Sequence, residues 1–368
     1  MARHFDFLSL LLTFKPKLFA GLVILVLVSA ACAGPTQPGA TASLAPSPTE
    51  TTGAVTAAPS LTPSATPLPS ATATPVPSPT LTQTPTATPK PLVPAFSHIV
   101  VIVMENLEFS STIGDYRDMP NFNAYAKQYT LLTQYYALSR AGSLLNYIAM
   151  IGGQTFDVKD NYYQGVIKAP SLPDQIEQSG RTWKAYEESM PKPCYLQDTL
   201  SYVIHHNPFA YFDAIRNNPT RCQNDMVPLT DLDADLQNGS LPNYAFIMPN
   251  LCHSAHDWTV DPKCPIKVAD EWLGSTVNKL LNASILKENS LIVLTWDEGQ
   301  GSHGCCGMAT AGGRVATILI SPLAKSGFQD ATPYTHYSLL KTIETAWGMP
   351  LLGHAADPQM VLIEAPWK

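Results

Sequence analysis

Two uninterrupted apolar stretches constrain this chain more than anything else in it. His98-Ile99-Val100-Val101-Ile102-Val103-Met104 runs directly into Glu105-Asn106, and Leu291-Ile292-Val293-Leu294-Thr295-Trp296 runs directly into Asp297-Glu298-Gly299. Short apolar runs bounded by charge and glycine read as strands buried on both faces, and such strands belong to mainly parallel sheets covered by helices. In open sheets of that kind, ligands collect at the carboxyl ends of the strands. Three carboxylates and an amide oxygen converging there repel one another unless a cation neutralises them. The two tips therefore describe a hard-cation site with Glu105, Asn106, Asp297 and Glu298 as ligands. Taken singly, each pair is also what an ordinary capped or solvated turn looks like.

The remaining pattern fits the same architecture. Strand-like runs at 99–104, 182–186, 244–248, 291–296 and 315–321 alternate with helix-like segments at 144–151, 171–178, 270–285 and 336–347. That alternation predicts an α/β fold with a mostly parallel central sheet and helices on both faces. Residues 191–261 are rich in Pro, Asn, Cys and aromatics, and predict long loops over one end of the sheet.

The amino terminus carries Arg3, Lys15 and Lys17 ahead of an apolar run over 18–31 that ends Ser29-Ala30-Ala31-Cys32. A run of this length suits a secretory signal better than a spanning helix. The small residues before the cysteine look like a lipobox, with Ser29 standing where Leu or Val is usual. The expectation is a signal peptide over 1–31 and a membrane anchor through acylated Cys32. An ordinary secretory signal and an uncleaved anchor are the alternatives, and all three place the rest of the chain outside the cytoplasm. Residues 32–94 are dominated by Pro, Thr, Ser and Ala. Such a composition buries no core and predicts a disordered, lipid-anchored linker. Residues 95–368 then form one folded domain.

A formal charge of −7 leaves no basic patch and argues against a nucleic-acid partner. Besides Cys32 there are Cys194, Cys222, Cys252, Cys264, Cys305 and Cys306, an even set that favours disulfides in an exported domain. Proximity suggests Cys194–Cys222 and Cys252–Cys264, with Cys305-Cys306 unassigned. No CxxC pair is present, so a structural zinc site is a poor reading.

Ser143 lies in Ala141-Gly142-Ser143-Leu144-Leu145-Asn146-Tyr147, after a glycine and before an apolar helix. Most serines so placed only cap the helix. The same position offers a nucleophile the oriented N–H groups that stabilise a phosphate. His253 and His256, beside Asp257, follow the strand-like run 244–248, and His336 opens the last helix. A lone histidine is usually a structural hydrogen-bonder. At a strand end it is also placed to donate to a phosphate oxygen or to a leaving group. His205-His206 reads as structural or pocket-lining, and His303 lies in a glycine-rich loop of unknown course.

In this order, these segments resemble the family of bacterial and fungal acid phosphatases and phosphatidylcholine-type phospholipases C, within the alkaline phosphatase-like superfamily. The resemblance is carried by residues 99–114 (with Glu105-Asn106 and Phe109), 134–153, 249–257, 295–299 and 312–342. It implies a phosphoesterase domain over 95–368 with an alkaline phosphatase-like α/β fold. The implied activity is extracytoplasmic, metal-dependent phosphomonoester hydrolysis. A phospholipase C or phosphodiesterase, or a non-catalytic phosphate-binding surface lipoprotein, are the alternatives. Carried over by position, Glu105, Asn106, Asp297 and Glu298 would hold one divalent ion (Mg, Ca, Mn or Zn), and Ser143 would form a phosphoseryl intermediate. His253, His256, Asp257 and His336 would surround the bound phosphate, with Asn146 as a further contact, and His256 or His336 would protonate the departing alcohol. The implied substrate is a small phosphate ester or a lipid headgroup. One departure stands out: the family commonly has His-Pro-Ser where this chain has Ala141-Gly142-Ser143, which removes a possible phosphate or leaving-group contact.

Overall fold

The computed structural model describes residues 91–259, 261–307 and 311–368. The signal peptide expected over 1–31, Cys32 and nearly all of the linker expected over 32–94 lie outside the described residues. Among the described residues, nine strands form one sheet: β1 (His98–Met104), β2 (Thr130–Tyr136), β3 (Trp183–Glu187), β4 (Met226–Pro228), β5 (Tyr244–Met248), β6 (Ser290–Trp296), β7 (Arg314–Ile320), β8 (Gln329–Asp330) and β9 (Tyr334–Thr335). Their order is β4-β3-β5-β1-β6-β7-β2-β8, with β9 also pairing with β2. Only β7 runs against its neighbours, β6 and β2. The other pairings are parallel. Every strand except β7 therefore ends at the same edge.

β1 lies between β5 and β6 and is buried from Ile99 to Met104, as is all of β6. Successive side chains of a strand point to opposite faces, so both faces are covered. Phe246 is level with Val101 and packs against Tyr147 of the helix Ser143–Gly152. Trp296 is level with Met104, three residues further along β1 and so on the other face, where it meets Phe122 of the helix Pro120–Gln128. The helix Ile266–Asn282 joins the second layer through buried Asp270, which accepts the backbone N–H groups of Asn121 and Phe122 at 2.9 and 2.8 Å. The helix His336–Ala346 packs on Ser143–Gly152. The expected α/β architecture, a mostly parallel sheet between helical layers, is present.

Several local features depart from the sequence pattern. The helix expected over 270–285 begins earlier, at Ile266, immediately after Pro265, which has no N–H to donate. β2 has no clear alternation because its pairing with β7 shifts register between Leu132 and Tyr135, and such an irregularity interrupts the period of two. The stretch expected as loops over 191–261 also holds β4 and the helices Asp213–Arg216, Pro219–Asp225 and Asp231–Asn238. It is tied by Cys194–Cys222 and Cys252–Cys264, the two pairs that proximity suggests. Cys305 and Cys306 are bonded to each other. Among the described residues, no helix is long and apolar enough to cross a membrane.

Candidate active site

The strand register builds the first half of the site. Met104 and Trp296 are level, and Asp297 donates its N–H to the Met104 carbonyl at 2.9 Å. Glu105 and Asp297 thus leave β1 and β6 side by side. Asn106 then adopts a left-handed φ of 62°, uncommon for a residue with a side chain, and donates its N–H to Asp297 Oδ1 at 3.0 Å. Glu105 and Asp297 are wholly buried. Burial, then the charge of Asp297, holds Glu105 well above the usual carboxylate range. Burial pushes Asp297 up to about 6. Glu298 is pushed up to about 9, first by burial and then by Asp297. Left to themselves, these acids resist ionisation together.

β2 ends at the same edge, and residues 137–142 lead from it to Ser143. Gly142, at φ 146°, occupies the helix capping position, so Ser143 sits in the first turn. A Cβ at Gly142 would fall 2.6 Å from Asn161 Oδ1, which accepts the N–H of Leu144 at 3.0 Å. Ser143 Oγ donates to Glu105 Oε2 at 3.0 Å. One turn along the same helix, the Tyr147 hydroxyl donates to Glu105 Oε1. The amide of Asn146 accepts from the N–H groups of Leu138 and Ser139 at 3.0 and 3.1 Å, and donates to the Ser139 carbonyl and to Glu298 Oε2 at 2.8 and 3.1 Å. Asn146 therefore ties the approach to Ser143 to the second acidic tip.

His206, His253 and His256 come from loops and short turns. His256 follows β5, with Nδ1 2.8 Å from Asp257 Oδ1. His206 ends a single tight turn, Ile204–His206, and is buried. Its Nε2 lies 3.2 Å from Glu105 Oε1 but is not aligned for a hydrogen bond and has no partner. Burial, reinforced by His205 and His256, holds the His206 ring well below its ordinary pKa, so it is neutral. Ligand-capable atoms of Glu105, His206 and His256 all lie within 4.8 Å of one another. His253 is engaged differently: its Nδ1 is 2.9 Å from both Glu188 oxygens, and its ring stacks on Trp272, which also donates to Glu188. His336 begins the helix after β9, with Nε2 2.7 Å from the Asp297 carbonyl and Nδ1 3.2 Å from the Tyr135 hydroxyl. A carbonyl only accepts, so Nε2 carries the proton and Nδ1 accepts from Tyr135. Burial lowers His336 to about 4.

Glu105, Asn106, Ser143, Asn146, His256, Asp257, Asp297 and Glu298 thus gather at one edge, with His336 behind Asp297 and His253 turned to Glu188. Tyr147 is the member that sequence reasoning passes over, and His206 is the one it leaves between a structural and a pocket-lining role. Tyr147 lies four residues from Ser143, a spacing that puts both on one helical face. For His206 the only signal is a paired histidine before Asn-Pro. Asp297 Oδ2 and His206 Nε2 are buried without hydrogen-bond partners. Unpartnered atoms beside buried carboxylates, in a mixed oxygen and nitrogen donor set, fit a divalent cation.

A sequence model described as the phosphoesterase family matches residues 115–350. That span takes in Ser143, the histidines discussed and Asp297-Glu298; Glu105 and Asn106 precede it and are placed by the pairing of β1 with β6. The chain is 31% identical over 271 residues to an acid phosphatase of Aspergillus fumigatus, covering 70% of this chain and 56% of the relative. It is 32% identical over 287 residues to a probable acid phosphatase of Kluyveromyces lactis, covering 74% and 63%. A phosphatidylinositol-3-phosphatase of Mycobacterium tuberculosis is 27% identical over 272 residues, covering 72% and 81%. The chain spans less than two thirds of the length of the two fungal relatives.

Proposed function

Because this chain belongs to the phosphoesterase family, we propose that it is an extracytoplasmic, metal-dependent phosphatase that hydrolyses phosphomonoesters through a phosphoserine at Ser143. One observation carries the reading: the Ser143 hydroxyl meets Glu105 at 3.0 Å in the first turn of a buried helix, beside the second acidic tip. A helix N-terminus favours the negative charge that a phosphate brings.

Glu105, Asn106, Asp297 and Glu298 are the residues to hold one divalent cation, which when bound favours the serine alkoxide and takes charge from a phosphate oxygen. Ser143 attacks phosphorus in line with the departing alcohol. Tyr147 and Asn146 keep Glu105 and Glu298 in place through the bonds described above. His256, oriented by Asp257, protonates the alcohol as its bond to phosphorus breaks, and water then releases phosphate from the serine. His336 is neutral and engaged through both nitrogens, which supports a role in positioning Asp297. His253 supports the His256 loop through Glu188. Ala141 and Gly142 offer the phosphate no side-chain contact beyond a methyl group.

The disulfides support an oxidising location, consistent with export and anchoring through Cys32. The likeness to an acid phosphatase and to a phosphatidylinositol-3-phosphatase supports a small phosphate ester or a phosphoinositide-like headgroup as substrate. Acid-quenched reaction with a labelled phosphomonoester is expected to leave label on Ser143. Label that persists on the Ser143→Ala protein overturns the nucleophile. Faster cleavage of bis-p-nitrophenyl phosphate than of p-nitrophenyl phosphate would favour the phosphodiesterase reading. Phosphate affinity without turnover, across several metals, would favour a binding protein, the reading that Ala141-Gly142 keeps open.

A further inference from the structure

The nitrogen of His206 that faces Glu105 plays no part in the reaction just described. We infer that Glu105, His206 and His256 form a second divalent-cation site, beside the site proposed on the strand tips and sharing Glu105 with it as a bridging carboxylate.

Three separate segments converge to make it: the tip of β1, the turn Ile204–His206 and the loop after β5. Their donor atoms lie within 4.8 Å of one another, and His206 Nε2 and Glu105 Oε1 are 3.2 Å apart. Metal–ligand bonds of about 2.1 Å in a tetrahedral site put neighbouring ligand atoms about 3.4 Å apart, so little closure is needed. The His206 ring is buried, and its Nε2 lacks a hydrogen-bond partner. In the neutral tautomer protonated on Nδ1, that nitrogen has a lone pair to give. His256 carries Asp257 on Nδ1, and a carboxylate behind a ligating imidazole fixes its tautomer and direction.

Glu105 can serve two ions because its oxygens face different ways. Oε2 takes the Ser143 hydroxyl, and Oε1 faces Tyr147 and His206. Paired ions in such sites lie about 3.5–4 Å apart, a span that clamps both the attacking and the leaving oxygen of a phosphoryl transfer. Two imidazoles and one carboxylate select a borderline ion such as Zn or Co over Mg or Ca. The His256 side chain is 34% exposed, which leaves an open position for water or a phosphate oxygen. A His256 that ligates an ion no longer donates a proton. In the two-ion form the departing alkoxide would take its proton from water, and in the one-ion form from His256.

This inference rests on the phosphatase reading only through Glu105, and its test reads metal rather than turnover. The full chain is stripped with chelator and titrated with Co(II), with bound metal counted by elemental analysis and followed by visible absorption. Wild type is expected to bind two equivalents. His206→Ala and His256→Ala should each retain one, with the lost ion bound at least tenfold more weakly. Asp297→Asn should lose the other ion and keep the imidazole-associated absorption. A single equivalent in wild type that both histidine variants retain overturns the second site. Loss of every ion in a folded His256→Ala protein also overturns it, because one shared site is then enough. The partly exposed His256 provides the count if His206→Ala fails to fold, with folding followed by circular dichroism. Label on Ser143 together with one equivalent would sink this site and spare the phosphatase reading; two equivalents without label would do the reverse.

Discussion

The two halves of the site are built by different means. The acidic half leaves β1 and β6, where pairing from His98↔Ser290 to Met104↔Trp296 sets the spacing of Glu105 and Asp297. The histidine half hangs on a tight turn and on a loop after β5, tied by Cys252–Cys264 and by hydrogen bonds to Glu188. Strand tips hold a group to within a fraction of an ångström because the whole sheet must move to displace it. Loops have fewer buried contacts and open at lower cost, and they are where chemistry varies. The comparison teaches that rigid elements carry the buried acids and adaptable ones carry the histidines.

The largest effect tests the point where the halves meet. Ser143→Ala should lower steady-state phosphatase turnover by about 10⁴-fold or more, as the loss of a covalent nucleophile does, with the melting temperature little changed. A loss below tenfold would mean that the acidic half works without this serine. Next comes Tyr147→Phe, which removes a donor to Glu105 without disturbing the strands. Metal affinity should fall by about 10- to 100-fold, the range for partners that orient a ligand, in a titration of the chelator-stripped protein.

A third prediction separates the halves by pH. Asp297 and Glu298 are raised in the folded, metal-free protein to about 6 and about 9. The folded state therefore keeps protons that the unfolded chain has already released. That contribution to stability is present below the ordinary carboxylate range and is lost as pH rises through those two values. Melting of the stripped protein should fall between about pH 4.5 and 9, and a saturating divalent ion should flatten the slope. A melting temperature that rises across this window without metal would break the account of the acidic half. The smallest effect belongs to His253→Ala: kcat within about threefold of wild type, since its ring answers to Glu188 and Trp272. A loss matching that of His256→Ala would show that the loop half acts as one unit.

Much of the fold was legible because burial leaves a period behind. The runs ending in Met104 and Trp296 read as two-faced strands, and both lie in the centre of the sheet. The helix Ser143–Gly152 showed in its apolar spacing and ends at Gly153, where φ is 71°. β2 was not legible, because its pairing shifts register at residues whose alternation would otherwise reveal it. Within the site, the spacing that put Glu105, Asn106, Asp297 and Glu298 at strand ends could be read directly. The involvement of Tyr147 could not, and His206 was legible only as structural or pocket-lining, since neither tyrosine nor a paired histidine stands out from ordinary core and loop composition.

Sequence alone determined that two acidic pairs end two buried strands, because runs of four to six consecutive apolar residues find enough dry surface inside a sheet. Tertiary structure decided which histidine turns inward. His206 and His253 have similar local surroundings in the sequence, in loops rich in Asn and Pro, yet one faces Glu105 and the other Glu188. A loop side chain takes its direction from partners far along the chain, and those meet it only once the sheet has assembled.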